Sequence, residues 1–379
     1  MIGKERFINT MSFKSVDRKP YMEFGIWPQT KQRWENEGLS KNAIGNGPYD
    51  NYFFYTGNDY FQFEKFHWVD IETWLPYPLK EEVVLEENEK YMLYIDNIGI
   101  KRKALKNGAL DNIRMSMDQY IDYPVKDRKT FLKHKKYFEG NYDKRYLEDY
   151  YKTKLIQDYI DVPIILLPPR EHFGLYSMLR SWVGTEGLSY MFYDDPKLIY
   201  EAVEFLTNYF IKITTKAVKE IKCDFIEIHE DLACKNAPLL SPDTFKKFFL
   251  CGYKKIIEFL KENGVKIVTV DTDGNFDALI PLFLEAGVDG FGPIEVASGI
   301  DPVILRKKYG KSFSMVGGVD KRKIAKGKKE IEDEIRKLIP IIEEGGYIPT
   351  IDHAAPPDIS LENFLYYLEL KRKAIFGNL

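Results

Sequence analysis

Ile267-Val268-Thr269-Val270-Asp271-Thr272-Asp273-Gly274-Asn275 is a β-branched run that breaks off into two aspartates, a glycine and an asparagine. Before it, Leu260-Lys261-Glu262-Asn263-Gly264 has the composition of a helix end, and after it Phe276-Asp277-Ala278-Leu279-Ile280 that of a helix start. The stretch predicts helix, buried strand, polar turn, helix, with carboxylates at the carboxyl end of the strand. In alternating strand–helix folds that edge carries the chemistry.

The same alternation extends to both sides. Apolar runs at 162–167, 225–228, 287–291, 313–318 and 346–350 read as strands, and 196–221 as a helix. Ser241-Pro242-Asp243 has the cap and first-turn chemistry to open a helix reaching about Asn263. Upstream, Tyr21-Met22-Glu23-Phe24-Gly25 reads as a first strand. Residues at about 79–116 change character: short alternating segments flank an Asp96-Asn97 turn, which predicts a β-meander. About seven or eight strand–helix units result, and no composition break separates them. The expectation is one α/β domain over 1–379, a closed (β/α)8 TIM-type barrel with an inserted β-meander. An open doubly wound sheet is the alternative. No GxGxxG opens a helix and no GxxxxGK[ST] exists, which argues against a nucleotide site.

Net charge is −3 with 30% charged residues, so neither sign dominates, and general nucleic-acid or membrane-surface binding is not expected. The three cysteines form no CxxC pair, and no signal peptide or membrane-length apolar run is read. A cytoplasmic protein is expected. Cys234 could be a nucleophile, but no partner is visible in the sequence, and it reads as a buried, inert thiol.

In a barrel, Glu23, His229, Glu230, Asp231, Asp271, Asp273, Glu295, Asp320 and His353 converge on one face. Asp271 and Asp273 with a distant imidazole suit a divalent metal, zinc included; equally, they cap the following helix through an Asx turn. His353 follows a strand directly, with Asp352 there to orient its ring or to solvate the turn. Gly317 and Gly318 permit close backbone approach to a cofactor, or only tight turns. Trp27 and Tyr176 offer stacking surfaces for an aromatic ligand, or core packing.

Several of these stretches occur as a set. They are Arg18-Lys19-Pro20, Glu230-Asp231-Leu232-Ala233, Asp271-Thr272-Asp273-Gly274-Asn275, Gly317-Gly318-Val319-Asp320-Lys321, and Gly345-Gly346-Tyr347-Ile348-Pro349 running to Pro356-Pro357-Asp358. Nearly the whole chain thereby resembles the uroporphyrinogen decarboxylase superfamily, barrels that include cobalamin-dependent methyltransferases. The decarboxylases carry an arginine-rich stretch after the first strand that grips the tetrapyrrole; here that place reads Phe24-Gly25-Ile26-Trp27-Pro28-Gln29-Thr30, without a cation. The methyltransferase branch binds zinc through His-x-Cys and a later Cys. The resemblance puts Asp271, Asp273 and His353 in those places, each different in type yet able to bind metal.

What the resemblance implies is a metal-dependent methyltransferase. It would move a methyl group between a small substrate, such as a methoxylated aromatic, and a corrinoid on a partner protein. Zinc would sit on Asp271, Asp273 and His353, with Glu230 as fourth ligand or base and Asp231 beside it in the catalytic set. Decarboxylation of another carboxylated substrate, or non-catalytic corrinoid or tetrapyrrole binding, are the alternatives. Oligomerisation stays open.

Overall fold

The computed structural model describes residues 1–379 apart from 48, 70, 72–74, 107–117, 167–172 and 378–379. Strands β1 (His67–Val69), β2 (Val83–Glu87), β3 (Tyr91–Ile95), β4 (Lys101–Leu105), β5 (Gln119–Asp122), β6 (Ile164–Leu166), β7 (Phe225–His229), β8 (Ile267–Asp271), β9 (Gly290–Ile294), β10 (Ser314–Val319) and β11 (Tyr347–Ile351) follow along the chain. Seven of them form one parallel sheet in the order β1-β6-β7-β8-β9-β10-β11, and β2 to β5 form a separate antiparallel sheet. The second sheet is the expected meander; residues 107–116 of its predicted span lie outside the described residues.

The alternation along each parallel strand places the interior of the barrel. Phe225 pairs with Ile267, Glu227 with Thr269 and His229 with Asp271 across β7 and β8. Phe225 and Ile267 share one apolar cluster with Met22, Phe66, Ile165, Val316 and Ile348, so side chains from around the ring meet inside it. Phe7 and Met11 of the helix Gly3–Met11 join that cluster, capping the end where the strands begin. The interior is thus apolar at one end and becomes polar toward His229 and Asp271 at the other. Residues of opposite parity, Ile226, Ile228, Val268 and Val270, belong to the larger core under the surrounding helices. Each such buried aliphatic side chain stabilises by roughly 1.5–3 kcal/mol.

The first strand departs from expectation. Tyr21–Gly25 forms no ladder among the described residues; Ile26 makes a single parallel bridge to Ala355, and the Glu64 N–H donates to the Tyr21 carbonyl at 2.9 Å. Side chains hold the join instead. Glu23, wholly buried, accepts from the Ile351 N–H (2.7 Å), the Tyr367 hydroxyl (2.7 Å) and the Lys371 ammonium (2.8 Å). Burial pulls the Lys371 pKa down, against the attraction of Glu23. Glu23 therefore closes the fold rather than serving the site. The helix expected from Ser241 also divides, into Pro242–Phe248 and Leu250–Glu262, with Ser241 capping the first. No helix among the described residues is long and apolar enough to cross a membrane.

Candidate active site

β7 ends on His229, and its ring lies between two carboxylates. Nδ1 stands 3.7 Å from Asp271 and Nε2 3.7 Å from Asp231. These separations exceed hydrogen-bonding range, so the contacts are electrostatic. Burial alone would lower the pKa of this imidazole, but the charges of Asp271 and Asp231 overcome it and push the value up to about 9. Asp271 is raised well above the usual carboxylate range by burial, opposed by His229 and reinforced by Glu227 and Asp273. One layer deeper, the Glu227 carboxyl accepts the Tyr55 hydroxyl, and burial raises its pKa too. Tyr55 packs edge-on against Trp68, their centroids 5.4 Å apart, so one wall of the mouth is aromatic.

A second pair faces the first. His353 Nε2 lies 3.7 Å from Asp273, and its ring stands 5.1 Å from Phe24 and 6.2 Å from Trp27 between centroids. Burial lowers the His353 pKa, partly offset by Asp273, so this ring is the neutral one. Asp273 is raised by burial against the pull of His353. The turn carrying it needs glycine: Gly274 has φ +80°, and a Cβ there would lie 2.7 Å from the Cys234 carbonyl oxygen. The Gly274 N–H donates to Glu295 at 3.2 Å, and Lys321 reaches Glu295 at 3.4 Å and Asp352 at 3.6 Å. Asp352, read as orienting His353 or solvating the turn, instead accepts from the backbone N–H groups of Val296 and Lys321.

Several predicted residues stand elsewhere. Glu230 accepts from the N–H groups of Tyr176 (3.0 Å) and Ser177 (2.9 Å), the Ser177 hydroxyl (2.5 Å) and the Tyr253 hydroxyl. It fills the N-terminus of the helix Leu175–Val183, so it has no oxygen left for a metal or for catalysis. Tyr176 is buried against Phe249 and packs in the core. Gly317 and Gly318 serve packing: their Cβ positions would meet the Ile294 nitrogen at 2.7 Å and the Pro302 ring at 2.6 Å. Asp320 caps the helix Lys321–Lys326 and binds Arg322. Cys234 is exposed rather than buried. The residues 168–170 that end the expected strand near 162–167 lie outside the described residues.

The expected zinc set does not fit this arrangement. Glu230 is committed, Asp271 faces His229, and only Asp273 and His353 face one another. Among the described residues no three His, Cys, Asp or Glu side chains are grouped to hold a metal ion. The structure brings together His229, Asp231, Asp271, Asp273, Glu295 and His353, and adds Glu227, Tyr55 and Lys321. His229 and Glu227 were legible from strand alternation, sitting four and two residues after the inward Phe225. Tyr55 carries no such signal.

Comparison with known proteins gives this constellation its family. The family model described as uroporphyrinogen decarboxylase (URO-D) matches residues 173–374, more than half of the chain. The chain belongs to the uroporphyrinogen decarboxylase family. The matched span covers β7 to β11 of the parallel sheet and leaves β1 and β6 outside. Relatives named uroporphyrinogen decarboxylase from Campylobacter lari and Nitratiruptor sp. are 25% and 28% identical over 191 and 185 residues. Each alignment covers 46% of this chain, and the chain spans about half the length of these curated relatives, 50% and 51%. A solved methyltransferase from Methanosarcina mazei superposes with a TM-score of 0.60 at 16% identity, over 98% of this chain and 99% of that one. That likeness shows a shared fold along 98% of the chain.

Proposed function

We propose that this chain is a methyltransferase that moves a methyl group from a small methyl ether to a corrinoid carried on a partner protein, with His229 as the acid. One observation carries the reading: an imidazole at a strand's carboxyl end, set between the carboxyl groups of Asp231 and Asp271, an environment that favours its protonated form. Cleaving a methyl–oxygen bond leaves an electron pair on oxygen, and an alkoxide or phenoxide is a poor leaving group until it is protonated. His229 supplies that proton from within the mouth. Asp231 and Asp271 flank the ring at 3.7 Å on its two nitrogens, and the aromatic side formed by Tyr55, Trp68, Phe24 and Trp27 keeps the reacting end dry. The corrinoid, when docked, supplies the nucleophile that takes the methyl group; the open Trp27 rim beside His353 offers it a flat apolar landing. No step is routed through zinc, since the residues do not fit it.

A tetrapyrrole with several carboxylates suits this mouth poorly. Asp231, Asp271, Asp273 and Glu295 line it, and the stretch 24–30 contributes no cation. Decarboxylation of a smaller acid is the second reading, favoured by the same proton donor, which would serve equally to protonate a carbanion. The test is anaerobic incubation of the full chain with chemically reduced cobalamin and a panel of methyl ethers. Methylated cobalamin is followed by absorbance and the demethylated product by chromatography. Transfer by the wild type and a loss of about 10²–10⁴-fold in kcat for His229→Gln are expected. Absence of transfer, with carbon dioxide released from a carboxylated substrate, would turn the assignment to a decarboxylase.

A further inference from the structure

Beside the mouth lies a second feature. Between the meander and the helix Leu175–Val183 lies a cavity of about 230 Å³ with Asp231 in its lining. Asp231 thus borders both the cleft and His229, one side chain separating them.

Two guanidinium groups face this cavity. Arg102 gives its Nε to Asp96 at 2.7 Å and lies over the Tyr120 ring, 4.7 Å from its centroid. Asp96 is buried and also accepts from the N–H groups of Ile98 and Ile100, so the turn between β3 and β4 fixes where Arg102 points. Arg180 gives Nη2 to Asp231 at 3.0 Å. A guanidinium has five N–H donors, and among the described residues each of these commits only one to a carboxylate. The Tyr123 phenol feels both cations. Its ring is seated on Gly184, where a Cβ would come within 2.4 Å of it. Ile98, Ile100 and Met178 supply apolar wall. The cavity is below the roughly 300–1,000 Å³ of sites for drug-sized ligands, which suits one ring rather than a macrocycle.

We infer that this cleft binds a single-ring aromatic carboxylate, with the carboxylate on Arg102, Arg180 and the Tyr123 hydroxyl and the ring against Tyr120 and Met178. The fork geometry of guanidinium matches a carboxylate with two parallel hydrogen bonds, and its stacked face favours an adjacent arene. The opposite end of the ring then points past Asp231 toward His229. Resting on the methyl-transfer reading, this makes the donor a methoxybenzoate-type acid: the bond from its oxygen to the methyl carbon breaks, the methyl passes to the corrinoid, and the oxygen takes the His229 proton.

Calorimetric titration of the full chain with benzoate, benzamide and inorganic phosphate tests the cleft apart from turnover. Benzoate is expected to bind at least tenfold tighter than benzamide or phosphate, and Arg102→Gln to weaken benzoate at least tenfold. Should Arg102→Gln not fold, Tyr123→Phe is expected to weaken benzoate several-fold with benzamide unaffected. Equal affinity for benzoate and benzamide, or for benzoate and phosphate, overturns the assignment. Benzoate binding without transfer from any methoxybenzoate keeps the cleft and overturns the methyl-transfer reading. Transfer from uncharged methyl ethers with no benzoate binding does the reverse.

Discussion

Lys371→Met severs the closure of the barrel at one point, and its cost follows from the geometry. Lys371 and Glu23 are both wholly buried, with Nζ 2.8 Å from Oε2. Removing the cation leaves a carboxylate in the core with three remaining donors, the N–H groups of Phe24 and Ile351 and the Tyr367 hydroxyl. Breaking one side of a buried pair costs about 3–5 kcal/mol, mostly as the penalty of the stranded charge. Glu23→Gln/Lys371→Met removes both charges yet keeps an amide oxygen for Ile351, so it should cost at least about 2 kcal/mol less than Lys371→Met alone. Urea denaturation followed by far-ultraviolet circular dichroism measures all the variants, with unfolding rates as a check on two-state behaviour. Because His353 lies two residues beyond β11, Lys371→Met should also lower activity, and the double variant should restore part of it. A cost under about 1 kcal/mol for Lys371→Met, or a double variant as unstable as the sum of the singles, would refute the closure argument.

Other outcomes follow from single residues. His134 is buried against Trp182 and Phe138, and burial lowers its pKa to about 4. The unfolded state therefore binds a proton the native state refuses, so stability is full above about pH 6.5 and falls by about 3 kcal/mol as pH drops to 4. His134→Phe should flatten that part of a stability–pH curve. Gly274→Ala forces a side chain into a left-handed turn against the Cys234 carbonyl; a stability loss of about 1–2 kcal/mol and a lower kcat from a displaced Asp273 are expected in melts and turnover assays. Dialysis against a chelator should leave turnover within about twofold, since each carboxylate of the pairs already faces an imidazole; loss restored by zinc would instead make Asp273 and His353 ligands.

The architecture was readable because it rests on local chemistry. Fully buried β-branched segments such as β8, helix caps such as Ser241, and polar turns after the strands specify a parallel strand–helix alternation without reference to distant residues. Asp273 and His353 were likewise readable as partners, since strand ends of a barrel share one edge. Glu230 was misread because the helix that consumes its oxygens lies more than 50 positions away in the chain. Tyr21–Gly25 has strand composition, yet its backbone makes scattered hydrogen bonds to Glu64, Phe54 and Ala355 rather than a ladder.

Periodicity and turn chemistry thus settled what kind of fold this chain adopts and which edge carries its polar groups, because hydrophobic burial and backbone hydrogen bonding act over a few residues at a time. Which carboxylate meets which imidazole was left to the packed barrel. His229 is charged and His353 neutral only because one stands between two acids and the other lies against Phe24 and Trp27. Electrostatic environment depends on distances through space, and those exist only once the strands are packed around a shared interior.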